Sequence, residues 1–284
     1  MILGADIGGS HISCALLDTG TLQLLPNSFS RIMINPHGTA EEILQSWCSC
    51  IRNAWDSHGL PGTKIGIAMP GPFDYDCGIA LMKGTEKYEA LYGMNVRAAL
   101  ASMLTIAPED IRFQNDASCF LLGEMQVSSR KSYLKSIGIT LGTGLGSAIF
   151  ECGTVQDANR WNRPFDTGFA EEYISTRFFV RRYKELTGEL IKGAQELAQM
   201  VPGNPFAQKV FNEFAGNLAS FVRDFVRDEQ PEFLVIGGNI SKAWELIYPA
   251  LQPVEQESAI PIKIEAAILG EEAALIGAGC CWVI

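Results

Sequence analysis

The residues best placed to do chemistry in this 284-residue chain are Asn115 and Asp116, where a short apolar run, Ile111 to Phe113, gives way to a helix-like one, Ala117 to Met125. A carboxylate at the end of a strand in an α/β sheet stands at the mouth where ligands bind. An aspartate needs no unusual pKa to be ionised at neutral pH. Asp116 is therefore the candidate general base, although an Asn-Asp pair before an apolar helix also reads as an ordinary N-cap.

Three glycine-bearing turns accompany this pair: Asp6 to Ser10, Gly142 to Gly146, and Gly237-Gly238. Residues 2–7 and 12–18 flank Gly8-Gly9-Ser10 as two apolar strands, which predicts a hairpin whose turn could approach a phosphate closely or simply close the hairpin. Asp6 sits inside an apolar strand, where an acidic side chain is costly without a partner, and a hydrated Mg²⁺ ion would supply one. Strand, glycine turn and strand recur in residues 137–150. Here Asp6-Ile7-Gly8 lies over Thr140-Leu141-Gly142, and Ser13 to Leu16 over Ser147 to Phe150.

The elements that must position these groups repeat in the same order. Thr39 to His58 has the spacing of an amphipathic helix, begun by Thr39 and stopped by Gly59, with Ile43, Leu44, Trp47, Ile51 and Trp55 on one face. A buried strand, Lys64 to Met69, then ends in the stiff turn Pro70-Gly71-Pro72. Lys83 to Gly93 is polar and aromatic, and Asn95 to Leu104 is helical. In the second half, helical stretches Ala170 to Leu186 and Phe206 to Asp228 precede the strand Phe233 to Ile236, which ends in Gly237-Gly238-Asn239. Ile260 to Glu265 and Glu271 to Ala278 then match Ile111 to Phe113 and Ala117 to Met125. Two half-chains with one order of elements imply two similar α/β domains facing a cleft. The expected domains are residues 1–116, with the C-terminal helix 271–284 packing back on them, and 117–270. A dinucleotide fold would need glycines leading into a helix, whereas both glycine turns lead into strands, which favours a nucleoside triphosphate.

Composition narrows the partners. A net charge of -10 without basic runs argues against a nucleic-acid surface. The start, Met1 to Asp6, has neither a basic leader nor a long apolar stretch, so no membrane partner and a cytoplasmic location are expected. The eight cysteines lack zinc spacing and read as buried reduced thiols; the three histidines, 11, 37 and 58, all fall in the first quarter.

Taken together, Asp6-Ile7-Gly8-Gly9-Ser10, Pro70-Gly71-Pro72, Asn115-Asp116-Ala117, Leu141 to Gly146 and Ile236 to Asn239 resemble the ROK family (repressors and sugar kinases) over nearly the whole chain. The resemblance implies two ribonuclease H-like domains of the actin-like ATPase type and transfer of the γ-phosphate of Mg-ATP to a hexose, glucose being the expected one. It assigns Asp6, Gly8, Gly9, Ser10, Gly142, Thr143, Gly144, Gly237, Gly238 and Asn239 to ATP, with Asp6 holding Mg²⁺ through water. Pro70, Gly71, Asn115, Asp116 and Glu171 fall to the sugar, with Asn115 orienting it through its donor and its acceptor. Glu171 matches the family's sugar-binding glutamate because it precedes a similar run, Tyr173-Ile174-Ser175. Two departures stand out. The family's Glu-x-Gly-His motif and cysteine-rich zinc loop are missing between Phe150 and Glu171, where Cys152 and Trp161-Asn162-Arg163-Pro164 stand, and Lys83 to Tyr88 replaces an asparagine-bearing sugar loop. No zinc is expected, and Trp161, Asn162, Arg163 and Asp166 are candidates to fill that space, an unliganded surface loop being the other reading. A homodimer is the candidate assembly. The alternative activity is a catalytically silent sugar-binding or sugar-sensing protein; a repressor is disfavoured because no helix-turn-helix precedes Asp6.

Overall fold

The computed structural model describes every residue except Thr63, Thr85, Glu86, Ala259 and Ile284. Part of the replaced sugar loop and the last residue of the expected C-terminal helix therefore lie outside the described residues. The chain divides into two compact units, Met1–Arg130 with Glu271–Ile284, and Lys131–Gly270. The first unit runs one helix beyond the expected boundary at 116, because Asp116–Glu124 belongs to it.

In the first unit the strands Ile2–Ile7 and His11–Asp18 pair antiparallel, and Ile65–Met69 and then Ile111–Asn115 add in parallel. Thr39 closes a capping box with Glu42 at the start of the helix Ala40–Asp56, whose buried face carries Ile43, Leu44, Trp47, Ile51 and Trp55. This apolar stripe is the one the sequence spacing predicts, and the chain leaves the helix through Gly59 at φ +62°.

The C-terminal helix Glu272–Cys280 packs against Asp116–Glu124 along a seam that excludes side chains. A Cβ on Gly123 would fall into the Ala273 carbonyl, and one on Gly277 into the Cys119 carbonyl. The two glycines let the backbones meet, which packs a segment distant in sequence on the helix that begins at Asp116 and on the strands Ile2–Ile7 and Ile65–Met69. Glu124, the last residue of the helix Asp116–Glu124, forms a buried ion pair with Arg130.

The second unit repeats the first sheet's order. Lys135–Leu141 and Leu145–Glu151 pair antiparallel, and Phe233–Gly237 and Lys263–Ala266 follow in parallel. Both sheets thus share one strand order, as the sequence repeat implied, and it is the ribonuclease H-like order that the resemblance implied. Their hairpins differ by one residue. Asp6 faces Ser13, whereas Thr140 faces Gly146 and not Ser147, because the second turn is one residue tighter. The core of this unit is aromatic, with Phe179 in tilted ring contact with Phe211 and Phe214 of the 25-residue helix Pro205–Glu229.

One expected helix is broken. Ala170–Tyr173 ends before Ile174 and Ser175, and a new helix, Thr176–Thr187, begins. The cause is local: the Thr176 N–H and hydroxyl both donate to the Gly142 carbonyl, at 2.8 and 2.9 Å, so the second helix starts on the glycine turn. The thiols are less uniformly buried than expected, since Cys77 and Cys152 are exposed. Among the described residues no helix is long and apolar enough to cross a membrane.

Candidate active site

In each unit the expected residues gather at the C-terminal ends of the parallel strands. In the first, Ile2–Ile7, Ile65–Met69 and Ile111–Asn115 run side by side, Asp6 facing Ala68 and Met69 facing Asn115. Their ends deliver Asp6, Pro70-Gly71 and Asn115-Asp116 to one edge, where a parallel sheet exposes its ligand-binding loops.

Asn115, not Asp116, caps the helix. Its Oδ1 accepts the Ser118 N–H at 3.1 Å, while Asp116 is the first helical residue and its Oδ1 accepts the Ala117 N–H at 2.9 Å. The capping role that competed with catalysis thus falls on its neighbour. The cost is that Asn115's acceptor is engaged, leaving its Nδ2 as the group it can turn to a ligand. That nitrogen donates to the Tyr75 hydroxyl at 3.3 Å, and the hydroxyl donates to the Met69 carbonyl at 3.1 Å. Tyr75 escaped the sequence reading because a tyrosine after a Pro-Gly-Pro turn carries no motif. Its hydroxyl lies close to Gly71, where an added Cβ would meet it at 3.5 Å.

Asp6 and Asp116 share this edge. Burial first, and then the charge of Asp116, push the Asp6 carboxyl up to about 7, with Arg31 pulling the other way. Arg31 is held by Ser13 Oγ at 2.9 Å and Glu271 at 2.6 Å. The two carboxyl groups, both partly buried, form a set of oxygen donors at this edge. Such a donor set suits Mg²⁺, a hard ion that prefers oxygen ligands and keeps water around it.

The first glycine turn is fixed by its surroundings. The Tyr88 hydroxyl donates to the Gly8 carbonyl, and a Cβ on Gly9 would lie 2.5 Å from the Lys87 Nζ. Lys87 therefore brings an ammonium group against the turn, a cation the sequence reading did not single out. Ser10 is exposed beside His11, whose pKa is lowered by burial and by Arg31.

In the second unit the Gly142 N–H closes the turn on the Gly144 carbonyl at 3.1 Å. A Cβ on Gly142 would meet nothing within 4 Å, so the space over it is open, and Thr143 is exposed. Gly144 has no such room: Glu171 Oε2 would be 2.6 Å from its Cβ. Glu171 accepts the Leu145 N–H at 3.0 Å and pairs with Arg177 at 3.2 Å. The residue expected at a sugar is thus bound to the glycine turn of its own unit. Gly237 ends its strand opposite Thr140, and Gly238 takes φ +88°, where a Cβ would run into the Leu141 backbone. Asn239 is exposed and accepts from the Lys242 Nζ at 3.0 Å. Trp161 and Asn162 lie at the surface, Arg163 pairs with Asp228 at 2.7 Å, and Asp166 occupies a left-handed turn at φ +50°. No group of three or more His, Cys, Asp or Glu side chains that could hold a metal ion occurs among the described residues.

Comparison with known proteins adds a lineage to this geometry. The model of the ROK family matches residues 2–158 and 166–283, leaving 159–165 outside the match. The chain is 27% identical to an N-acetyl-D-glucosamine kinase of Pectobacterium carotovorum subsp. carotovorum, covering 98% of this chain and 97% of that one. It is 24% identical to an N-acetyl-D-glucosamine kinase of Haemophilus influenzae, covering 100% and 99%. A ROK family glucokinase from Streptomyces griseus, crystallised with glucose and AMPPNP, superposes with a TM-score of 0.80 at 22% identity over 99% of this chain and 98% of that one.

Proposed function

Because the chain belongs to the ROK family, we propose that it is an ATP-dependent sugar kinase whose base is Asp116 and whose first substrate to try is N-acetyl-D-glucosamine. The observation that carries this reading is the place of Asp116: Asn115 supplies the N-cap, and Asp116, the first helical residue after the strand Ile111–Asn115, shares that sheet edge with Asp6. A nucleoside triphosphate as donor is supported by the neighbour crystallised with AMPPNP. The 2-acetamido sugar is preferred to the glucose expected from the sequence because relatives covering nearly the whole chain act on N-acetyl-D-glucosamine.

In the reaction the sugar hydroxyl oxygen attacks the γ-phosphorus in line. Its O–H bond breaks toward the Asp116 carboxylate as the new O–P bond forms, and the β,γ-anhydride bond breaks to release ADP. Such transfers depend mainly on positioning and charge neutralisation. Asn115 Nδ2, steadied by the Tyr75 hydroxyl, orients the hydroxyl-bearing ring. The open face of Gly142 and the exposed Thr143 receive phosphate oxygens, and Lys87 beside Gly9 offers a positive charge. Mg²⁺ entering with the nucleotide supplies charge neutralisation, and Asp6 is the residue that would hold its hydration shell. Gly237, Gly238 and Asn239 serve the adenosine.

The test is ATP-dependent ADP release from the purified protein across N-acetyl-D-glucosamine, N-acetyl-D-mannosamine, glucose and fructose. Turnover with the acetamido sugar and a lower kcat/KM with glucose is expected. No turnover with any hexose would refute the reading.

A further inference from the structure

The turn at residues 160–163 links an ion-pair cluster around the buried Arg160 to the glycine turn of the second unit. Arg160 leaves only 4% of its side chain exposed. Its Nη1 binds Asp228 at 2.9 Å, its Nη2 binds Glu229 at 2.9 Å, and its guanidinium lies 4.0 Å from the Phe225 ring centroid. A guanidinium is expensive to bury unless its charge and its donors are met, and here two carboxylates and an aromatic face meet them. Asp228 answers in kind: the hydrogen bond from Arg160, and after it that from Arg163, hold its carboxyl below the usual range.

From that anchor the connection runs through backbone. The Arg160 N–H donates to Ser147 Oγ at 3.0 Å, on the strand that leaves the glycine turn. The Trp161 carbonyl accepts the Glu171 N–H at 3.0 Å, and the Arg163 carbonyl accepts the Ala170 N–H at 2.9 Å. Glu171 in turn receives the Leu145 N–H. Each link is a specific hydrogen bond, and the side chain at the far end is one that sequence resemblance gives a part in substrate binding.

We infer that Arg160 is a positioning residue: gripped by Asp228 and Glu229 of the helix Pro205–Glu229, it fixes the 160–163 turn and through it sets Glu171 against the Gly142–Leu145 turn. The inference rests on the kinase reading for its consequence, because Glu171 matters only if the glycine turn or the sugar beside it takes part in the reaction. Residues 159–165 lie outside the family match, whereas Asp228 and Glu229, which hold Arg160, lie within it. The grip gives the stretch a physical job that its exposed Trp161 and Asn162 conceal.

The experiment uses full-length protein with Arg160→Lys, which keeps one charge and loses the two-armed grip, and Asp228→Asn, which keeps the guanidinium and Glu229. Hydrogen exchange on peptides containing Leu145 and Glu171 should quicken in both variants while peptides of the first unit stay unchanged. With saturating Mg-ATP, kcat/KM for the sugar should fall by about 10- to 100-fold, the range a small misplacement of a binding group costs. Combining Arg160→Lys with Glu171→Gln should cost little more than the larger single change, because both break one link. Unchanged exchange at those peptides, or losses that multiply in full, would overturn the inference. A wild-type protein without kinase activity would instead refute the kinase reading, and the exchange measurement would still decide whether Arg160 holds Glu171.

Discussion

The Tyr75 hydroxyl receives the Asn115 Nδ2 hydrogen bond at 3.3 Å. Since Asn115 spends its oxygen on the helix cap, this nitrogen is the group it can offer a sugar, and Tyr75 sets its direction. Tyr75→Phe removes the acceptor and the donor to Met69 while keeping the ring packed against Phe73. The expected result is a rise in sugar KM of about 3- to 10-fold with kcat changed less, the size of one lost hydrogen bond of about 1 kcal/mol. Steady-state kinetics checks it, and an unchanged KM would remove Tyr75 from the site.

Asp6 makes stability depend on pH in a defined direction. Its folded-state pKa, about 7, lies above the ordinary aspartate value of 3.8. Ionising it in the folded protein therefore costs stability, with no cost below the unfolded value and the full cost above about 7. Asp6→Asn should raise the Tm in metal-free buffer at pH 8, and the gain should shrink as pH falls through 7 toward 4. Discounted for solvent screening, the gain is on the order of 1–2 kcal/mol, or roughly 2–6 °C. Equal gains at pH 5 and pH 8 would mean that Asp6 is not strained by its charge. The same variant should lose nucleotide turnover.

Gly277 is expected to tolerate no side chain. A methyl group there runs into the Cys119 carbonyl, a backbone atom that cannot swing aside. Gly277→Ala should cost about 3 kcal/mol or more and lower the Tm by roughly 5–10 °C, seen by thermal melting. The control is Gly216→Ala, at a glycine in the helix Pro205–Glu229 whose Cβ would meet nothing within 4 Å. There the change should be neutral or stabilising, as for a glycine replaced inside a helix. A similar loss at both positions would argue against the seam.

Much of this was legible in the chain itself. The apolar stripe of Ala40–Asp56, its Thr39 start and the paired hairpins are local signals, and each follows from spacing and turn chemistry. The repeat of element order was readable too, but not the one-residue difference between the hairpins, because register depends on how a turn closes and not on the strands' composition. The helix break at Ile174-Ser175 depends on Gly142, more than 30 residues away in sequence, and no local propensity announces it. Tyr75, Lys87 and Arg160 were missed for the same reason: their importance lies in what they touch.

We expect activity without zinc. The segment between Phe150 and Glu171 contains one cysteine and no histidine, and Arg160 with its two carboxylates ties that segment down. Structural zinc sites need about four ligands, commonly Cys or His. Turnover in excess Mg²⁺ should therefore survive a zinc-selective chelator, and elemental analysis of protein purified without a metal-affinity tag should find well under one zinc per chain. Stoichiometric zinc, or activity lost to the chelator and restored by zinc, would contradict this.

The most direct test of the account is Asp116→Asn, with the sugar chosen by the substrate panel. The amide keeps the size and the hydrogen-bonding position of the carboxylate but cannot take a proton from the attacking hydroxyl. Loss of a general base is worth about 10²- to 10⁴-fold, so kcat should fall in that range while sugar binding, measured by calorimetry with a non-hydrolysable nucleotide, changes by less than about tenfold. Near wild-type turnover in Asp116→Asn would contradict the claim that Asp116 is the base.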